Sequence, residues 1–275
     1  PLERVHDWNE FHTHLAESRV QTVESHRRWG KSIVARLADH GLLGPGFVGA
    51  HSIWLTDDDL RLLADAGAAV AHNPGSNLRL GCGIAPVREM LDRGVAVGLG
   101  TDGSVCADNQ NLFEALRIAS VISTVRFPHE TARWLDADTV WGLATAGTAR
   151  VLGQADDLGA IAPRRKADVV LLRADSLFLR PLADPVKALV YAETGAAVDT
   201  VVVDGRVVVE RGRVTTVDEA RIHARAQEAA DRQRGQSAQA WALAERLAPY
   251  VAAACRSAVT APLPIDRFAA GRPGA

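Results

Sequence analysis

Cysteine is scarce and unpaired in this 275-residue sequence. Cys82, Cys106 and Cys255 are odd in number and form no CxxC pair. That excludes a disulfide framework and points to a reducing compartment, the cytoplasm. Long hydrophobic runs are missing too: no stretch reaches the ~18 apolar residues of a membrane span. Basic charge is not in excess. Lys and Arg total 31 against 33 Asp and Glu, a formal net charge of -2, which leaves no electrostatic footprint for nucleic acid. The polar start, PLERVHDWNE, carries no signal-peptide pattern. Methionine occurs once, at Met90, and residue 1 is proline, so the sequence reads as a fragment or processed piece of a longer product. HExxH, GxxxxGK[ST], GxSxG and the HxE…PCxxC signature are all absent, which removes several enzyme classes at once.

What is present is a repeated pattern. Four apolar stretches end in a histidine or an aspartate and run into a helix: FHTHLAE at 11–17, FVGAH at 47–51, AAVAHN at 68–73 and VAVGLGTD at 95–102. The polar residue stands at the carboxyl end of the strand each time, where a (β/α) barrel carries its chemistry. Strand and helix alternate, which implies a parallel sheet. The expected helices cover about 20–40, 57–66, 86–93, a segment from 111, and 137–152. Beyond residue 156 the texture becomes β-branched and Gly-punctuated. Asp204-Gly205 between two valine-rich runs is a hairpin signature. The expected fold class is therefore α/β. Residues 1–156 would form four strands of a barrel and 157–215 a small all-β unit. One long helix would follow at 216–249, and then a disordered Pro/Gly/Ala-rich tail at 250–275.

The candidate site residues differ in weight. His12 and His14 share one face of a strand, with Glu17 just beyond its end. A carboxylate beside a histidine can carry a proton for a metal-bound water. Two satisfied histidines and a surface glutamate are an equally good reading of that segment alone. His51 and His72 each end a strand, and single histidines in such places are more often structural. Asp102 is different, because an acid leaving a run with no polar side chain needs a metal or a cation as partner. Residues 98–103 also match GxGxxG, which suggests a dinucleotide loop. The acid at Asp102 would repel a pyrophosphate, and 115–129 contains no Asp or Glu to hold a ribose, so that reading is rejected.

Taken together and in order, HTHLAES, AHSIW, VAHNPGSNLRLGCGIAPVREMLDRGVAVGLGTDG and NLFEALR resemble the amidohydrolase superfamily. The branch is that of the heterocycle aminohydrolases: S-adenosylhomocysteine/methylthioadenosine deaminases, triazine hydrolases and guanine or 8-oxoguanine deaminases. LGAIAPRRKADVVLL and VDTVVVDGRVVVERG resemble that family's terminal β-sandwich segment, so the likeness covers about 11–215. It implies that the four strands are the fifth to eighth of a (β/α)8 barrel, followed by part of a β-sandwich. It implies His14 and Asp102 as metal ligands, with Glu17, His51 and Asp102 as catalytic groups. Glu17 would shuttle a proton to a ring nitrogen, His51 would polarise water or substrate, and Asp102 would accept the water's proton. His51, Asn77 and Ser104 would touch substrate, and His72 and His12 would support the ligands from behind. The cofactor implied is one divalent ion, zinc, with iron as the alternative. The implied reaction is hydrolytic deamination of a purine, pterin, pyrimidine or triazine, with cyclic amide opening or dechlorination as alternatives. A catalytically incomplete fragment is the non-enzymatic alternative. The partners are then a small heterocycle and water, without nucleic acid or membrane, and a homo-oligomer in the complete protein.

The sequence departs from the family in one large respect. The family's HxH pair on the first barrel strand has no counterpart. His12-Thr13-His14 cannot serve, because only 88 positions separate His14 from Asp102, too few for the seven β/α units between. The bridging lysine of two-metal members is also missing: Lys31, Lys166 and Lys187 all stand away from strand ends.

Overall fold

The computed structural model describes residues 11–268. Within them the chain divides into two compact units, one comprising 11–165, 174–197 and 262–268, the other 166–173 and 198–261.

The first unit is built on a four-stranded sheet in the order β1 (Phe11–Leu15), β2 (Phe47–His51), β3 (Ala69–His72), β4 (Ala96–Leu99). All pairings are parallel, with His14 opposite Ala50, Ala50 opposite Ala71 and Ala71 opposite Gly98. The expected α/β class is found.

Side chains alternate across the sheet. Phe47, Val70, Val97 and Leu99 face the main core, with Leu60 and Leu63 of α3 (Asp57–Asp65) and Leu116 of α7 (Leu112–Arg126). Val48 and Ala69 face the other way and meet Val151 of α9 (Thr148–Val151). That second face carries small residues for a reason. A Cβ on Gly98 would lie 2.9 Å from the Cα of Thr148. The Leu99 N–H donates to Thr148 Oγ1 at 3.1 Å, so the start of α9 also satisfies a backbone group of the edge strand β4. Gly98 and Gly100 of the GxGxxG run thus serve close packing, since a Cβ on Gly100 would run into Asn73 Oδ1, whereas Gly103 faces open space.

Several helices differ from expectation. The 20–40 helix is two, α1 (Arg19–Trp29) and α2 (Ile33–Asp39), because Gly30 adopts φ 67° and Ser32 caps a new start by accepting from the Ala35 N–H. The Thr56 cap of α3 is a full capping box with Asp59. The 137–152 helix is interrupted at Leu143–Gly147, where the backbone widens to a π-helix between α8 (Ala137–Gly142) and α9. Gly147 allows this: a Cβ there would stand 2.5 Å from the Val97 carbonyl oxygen.

The second unit holds an antiparallel sheet, β5 (Val169–Leu172), β6 (Val198–Val203), β7 (Arg206–Glu210), β8 (Arg213–Val214). The Asp204-Gly205 hairpin is present, with φ 48° and 76° at the turn. Residues 174–197, expected within this all-β unit, group with the first unit and include the helix α10 (Pro185–Tyr191). The single helix expected at 216–249 is two, α11 (Glu219–Gln236) and α12 (Ala238–Val259). α12 continues through Pro249, on the strength of an alanine-rich sequence with high helix propensity. The tail expected to be disordered from residue 250 is therefore helical to Val259, and Leu263 and Ile265 pack against the core of the first unit. Among the described residues no helix is long and apolar enough to cross a membrane.

Candidate active site

The strand ends of the first unit turn sharply. Ala16, His51, Ser52 and Asp102 adopt φ of 45°, 68°, 50° and 62°. A side chain in the left-handed region costs about 1–2 kcal/mol, and such strain collects at functional sites. Here it folds successive strand ends over the sheet so that their side chains meet.

His51 is the centre of the meeting. It is 1% exposed, and its Nε2 lies 3.9 Å from Glu17 Oε1 and 3.8 Å from Asp102 Oδ2. Its ring stacks on that of His14, 5.4 Å between centroids and 12° from parallel. His51 Nδ1 donates to Asn77 Oδ1 at 2.8 Å. Oδ1 can only accept, so Nδ1 carries a proton and Nε2 is the ring nitrogen turned toward the carboxylates. Candidate ligand atoms of His14, Glu17 and His51 all lie within 4.8 Å of one another. His12, His14, His51, Asn73 and Asp102 line a cleft of 370 Å³ over the small-residue face of the sheet.

The electrostatics follow from position. Burial pushes the Asp102 carboxyl up, but the adjacent Ser76 hydroxyl, the Gly103 N–H donating at 2.6 Å, and His51 and His14 outweigh it, so Asp102 sits below the usual carboxylate range. The Cys82 thiol, 3.9 Å from Glu17 Oε1, is pushed up to about 11 by burial first and by Glu17 second. It stays a neutral thiol beside the carboxylate.

Glu17, His14, His51 and Asp102 are thus brought together. Asn77 needs correction: expected at the substrate, it is 2% exposed and its Oδ1 is engaged by His51. His72, expected to support the ligands from behind, is buried, lines a pocket with Ile84, Val87 and Leu135 on the helix side, and is close enough to His51 to feel its charge. His12 lines the cleft, and Ser104 is exposed at the start of the four-residue helix α6 (Ser104–Ala107). Sequence reasoning missed Cys82 and Ser76. Ser76 lies in the short helix at Pro74–Arg79 after β3 and Cys82 in the loop that follows it, where nothing local signals proximity to Asp102 or Glu17.

His72 is fully enclosed, and its Nδ1 has no hydrogen-bond partner among the described residues. Burial, then repulsion from His51, lowers its pKa to about 3. The neutral ring is the folded form, while the unfolded chain takes up a proton below about pH 6.5. Stability attributable to His72 is therefore complete above pH 6.5 and is lost as pH falls toward 3. Between pH 6.5 and 5 the loss is about 2 kcal/mol, at about 1.4 kcal/mol per unit. Urea unfolding of wild type and His72→Gln at pH 7 and pH 5 should show a smaller acid penalty in the variant. Equal penalties would mean that His72 is not held neutral.

These features define an α/β protein with a cluster of nitrogen and oxygen donors at the carboxyl ends of parallel strands. The chain belongs to the amidohydrolase family, which its residues 6–208 match. It is 39% identical over 209 residues to a 5'-deoxyadenosine deaminase of Methanothermobacter thermautotrophicus, covering 76% of this chain and 48% of that protein. It is 41% identical over 222 residues to a 5-methylthioadenosine/S-adenosylhomocysteine deaminase of Desulforudis audaxviator, covering 81% and 51%. Among solved structures it resembles an adenosine deaminase from Xanthomonas campestris with bound zinc, at TM-score 0.79 and 30% identity, over 82% of this chain and 51% of the other. The chain spans about half the length of the relatives it matches.

Proposed function

We propose that this chain supplies the strand-five to strand-eight half of a (β/α)8 barrel and part of a β-sandwich, and that the complete protein hydrolytically deaminates an amino-substituted N-heterocycle. The observation that carries the reading is His51, with Nε2 within 4 Å of both the Glu17 and Asp102 carboxylates and Nδ1 held by Asn77. The names of the relatives favour adenine nucleosides with a 5'-deoxy or 5'-thio substituent as the substrate class.

Two imidazoles and two carboxylates make a donor set suited to zinc or iron. His14 and Asp102 would hold the ion, which supplies a bound water of lowered pKa. The chain's own groups account for the remaining steps. Asp102, kept ionised by its surroundings, accepts a proton from the attacking water. The Nε2 of His51 orients that water toward the ring carbon bearing the amino group. Glu17 donates a proton to the neighbouring ring nitrogen as the water oxygen adds. The amino nitrogen then takes up the proton held at Asp102; as ammonia departs, the added hydroxyl gives its proton to Glu17, which returns to its acid form, and a carbonyl remains at the ring carbon. The sheet face beneath the cleft carries Ala50, Ala71 and Gly98, which leaves room for a flat ring.

The deciding experiment is ammonia release by the complete enzyme, loaded with zinc, on a panel of 6-aminopurine nucleosides, 2-aminopurines and aminotriazines. Adenosine-type substrates are expected to dominate. Activity confined to chlorinated or cyclic-amide substrates would overturn the deaminase reading.

A further inference from the structure

The segment after α12 is attached to the active-site wall at several points. The Ile84 N–H donates to the Arg267 carbonyl at 2.7 Å. The Arg267 guanidinium is buried, donates to the Leu55 carbonyl, and lies 3.9 Å from Glu89, which Arg126 also engages. Phe268 meets Trp54 edge to face at 4.9 Å between centroids. Gly83, at φ +122°, admits the Arg267 backbone, since a Cβ there would come within 3.0 Å of its carbonyl oxygen.

Trp54 links this segment to the chemistry. It is 1% exposed, and its indole N–H donates to the Cys82 carbonyl at 2.7 Å. Its backbone N–H donates to the Ala16 carbonyl at 2.9 Å, one residue before Glu17. The Arg19 guanidinium lies over the same ring at 5.2 Å. Phe268 therefore packs on a side chain that holds both Cys82 and the backbone next to Glu17, while Arg267 holds the two residues after Cys82.

We propose that residues 262–268 form a strap, with Arg267 as its positioning residue, that fixes the Cys82–Ile84 loop against Trp54 and so sets where the Cys82 thiol meets the Glu17 carboxylate. The strap acts through packing and hydrogen bonds and touches no substrate. Charge makes the attachment specific. An arginine this enclosed requires a carboxylate partner, and Glu89 is shared between Arg267 and Arg126. Losing Arg267 leaves Glu89 paired to Arg126, so the site loosens without stranding a charge. Its catalytic consequence rests on Glu17 as the proton carrier.

The test is the rate of Cys82 alkylation by iodoacetamide in the full 275-residue chain, read by peptide mass spectrometry, for wild type, Arg267→Met and Phe268→Ala. Cys82 labelling is expected to rise at least about tenfold in Arg267→Met and less in Phe268→Ala, because local opening becomes easier. Labelling of the exposed Cys255 serves as the reference and should not change. Phe268→Ala removes only an aromatic contact, so it decides the matter if Arg267→Met proves too unstable to assay. In the complete enzyme Arg267→Met should lower kcat about tenfold with KM within about twofold, the pattern of a misplaced reacting group. Equal Cys82 labelling in all three proteins overturns the strap. A loss confined to KM overturns the link to Glu17. Failure of Glu17 as proton carrier would show as unimpaired turnover in Glu17→Gln and would leave the labelling expectation standing.

Discussion

Glu17→Gln in the complete enzyme is expected to retain fold and metal while kcat drops by about 10²–10⁴, the usual range for a general acid–base group. That corresponds to about 3–5.5 kcal/mol of barrier. The amide keeps the size and hydrogen-bonding reach of the carboxylate but cannot deliver a proton. The surroundings of Glu17 make the substitution clean. His51 Nε2 and Cys82 Sγ both lie 3.9 Å from its carboxylate, and its side chain is about a fifth exposed. No buried charge is stranded, so thermal stability should change little. Single-turnover and steady-state rates, with metal content measured on the same sample, provide the check. A kcat within about threefold of wild type would mean that another group carries the proton. Loss of the metal would instead place Glu17 among the ligands, where its proximity to His14 and His51 would allow it to sit.

Asp102→Ala should abolish both metal retention and turnover, whereas His72→Ala should only weaken turnover. Asp102 faces the cleft, stays ionised, and lies 3.8 Å from His51 Nε2. His72 is buried among apolar side chains and stays neutral. Alanine at position 102 also meets φ 62°, which costs about 1–2 kcal/mol by itself. Asp102→Asn separates the two effects, since asparagine tolerates that backbone and lacks only the charge. Elemental analysis after dialysis is the measurement. Stoichiometric metal in both Asp102 variants would remove Asp102 from the ligand set.

Much of the site was legible because its donors end strands. His51 and Asp102 each follow an apolar run and His14 stands next to the end of β1, and parallel pairing brings such positions to one edge of the sheet whatever the loops do. The GxGxxG run was rightly set aside on charge grounds. Its actual purpose, room for Thr148 and Asn73, was illegible because both partners lie on other elements. The family resemblance implies Asn77 at the substrate; its capture by His51 depends on the fold of α4 (Pro74–Arg79). Ala71 faces the cleft, so its neighbour His72 faces the helices, behind the strand ends, a direction that strand alternation sets. The tail was read as disordered from its Pro/Gly content, yet Leu263, Ile265 and Arg267 anchor it through contacts that no local pattern predicts.

Local order was determined by the sequence itself. Apolar periodicity, glycine stops and Thr or Ser caps are decided within a few residues, so strands, most helices and the Asp204-Gly205 hairpin follow from short-range rules. The tertiary structure alone decided which donors share a space, which histidine is neutral, and which residues hold Glu17. Those properties depend on distances between segments far apart in the chain: Glu17 to Cys82 across 65 positions and Arg267 to Leu55 across 212. A side chain's ionisation and orientation are set by the groups packed around it, and packing exists only once the chain has closed on itself.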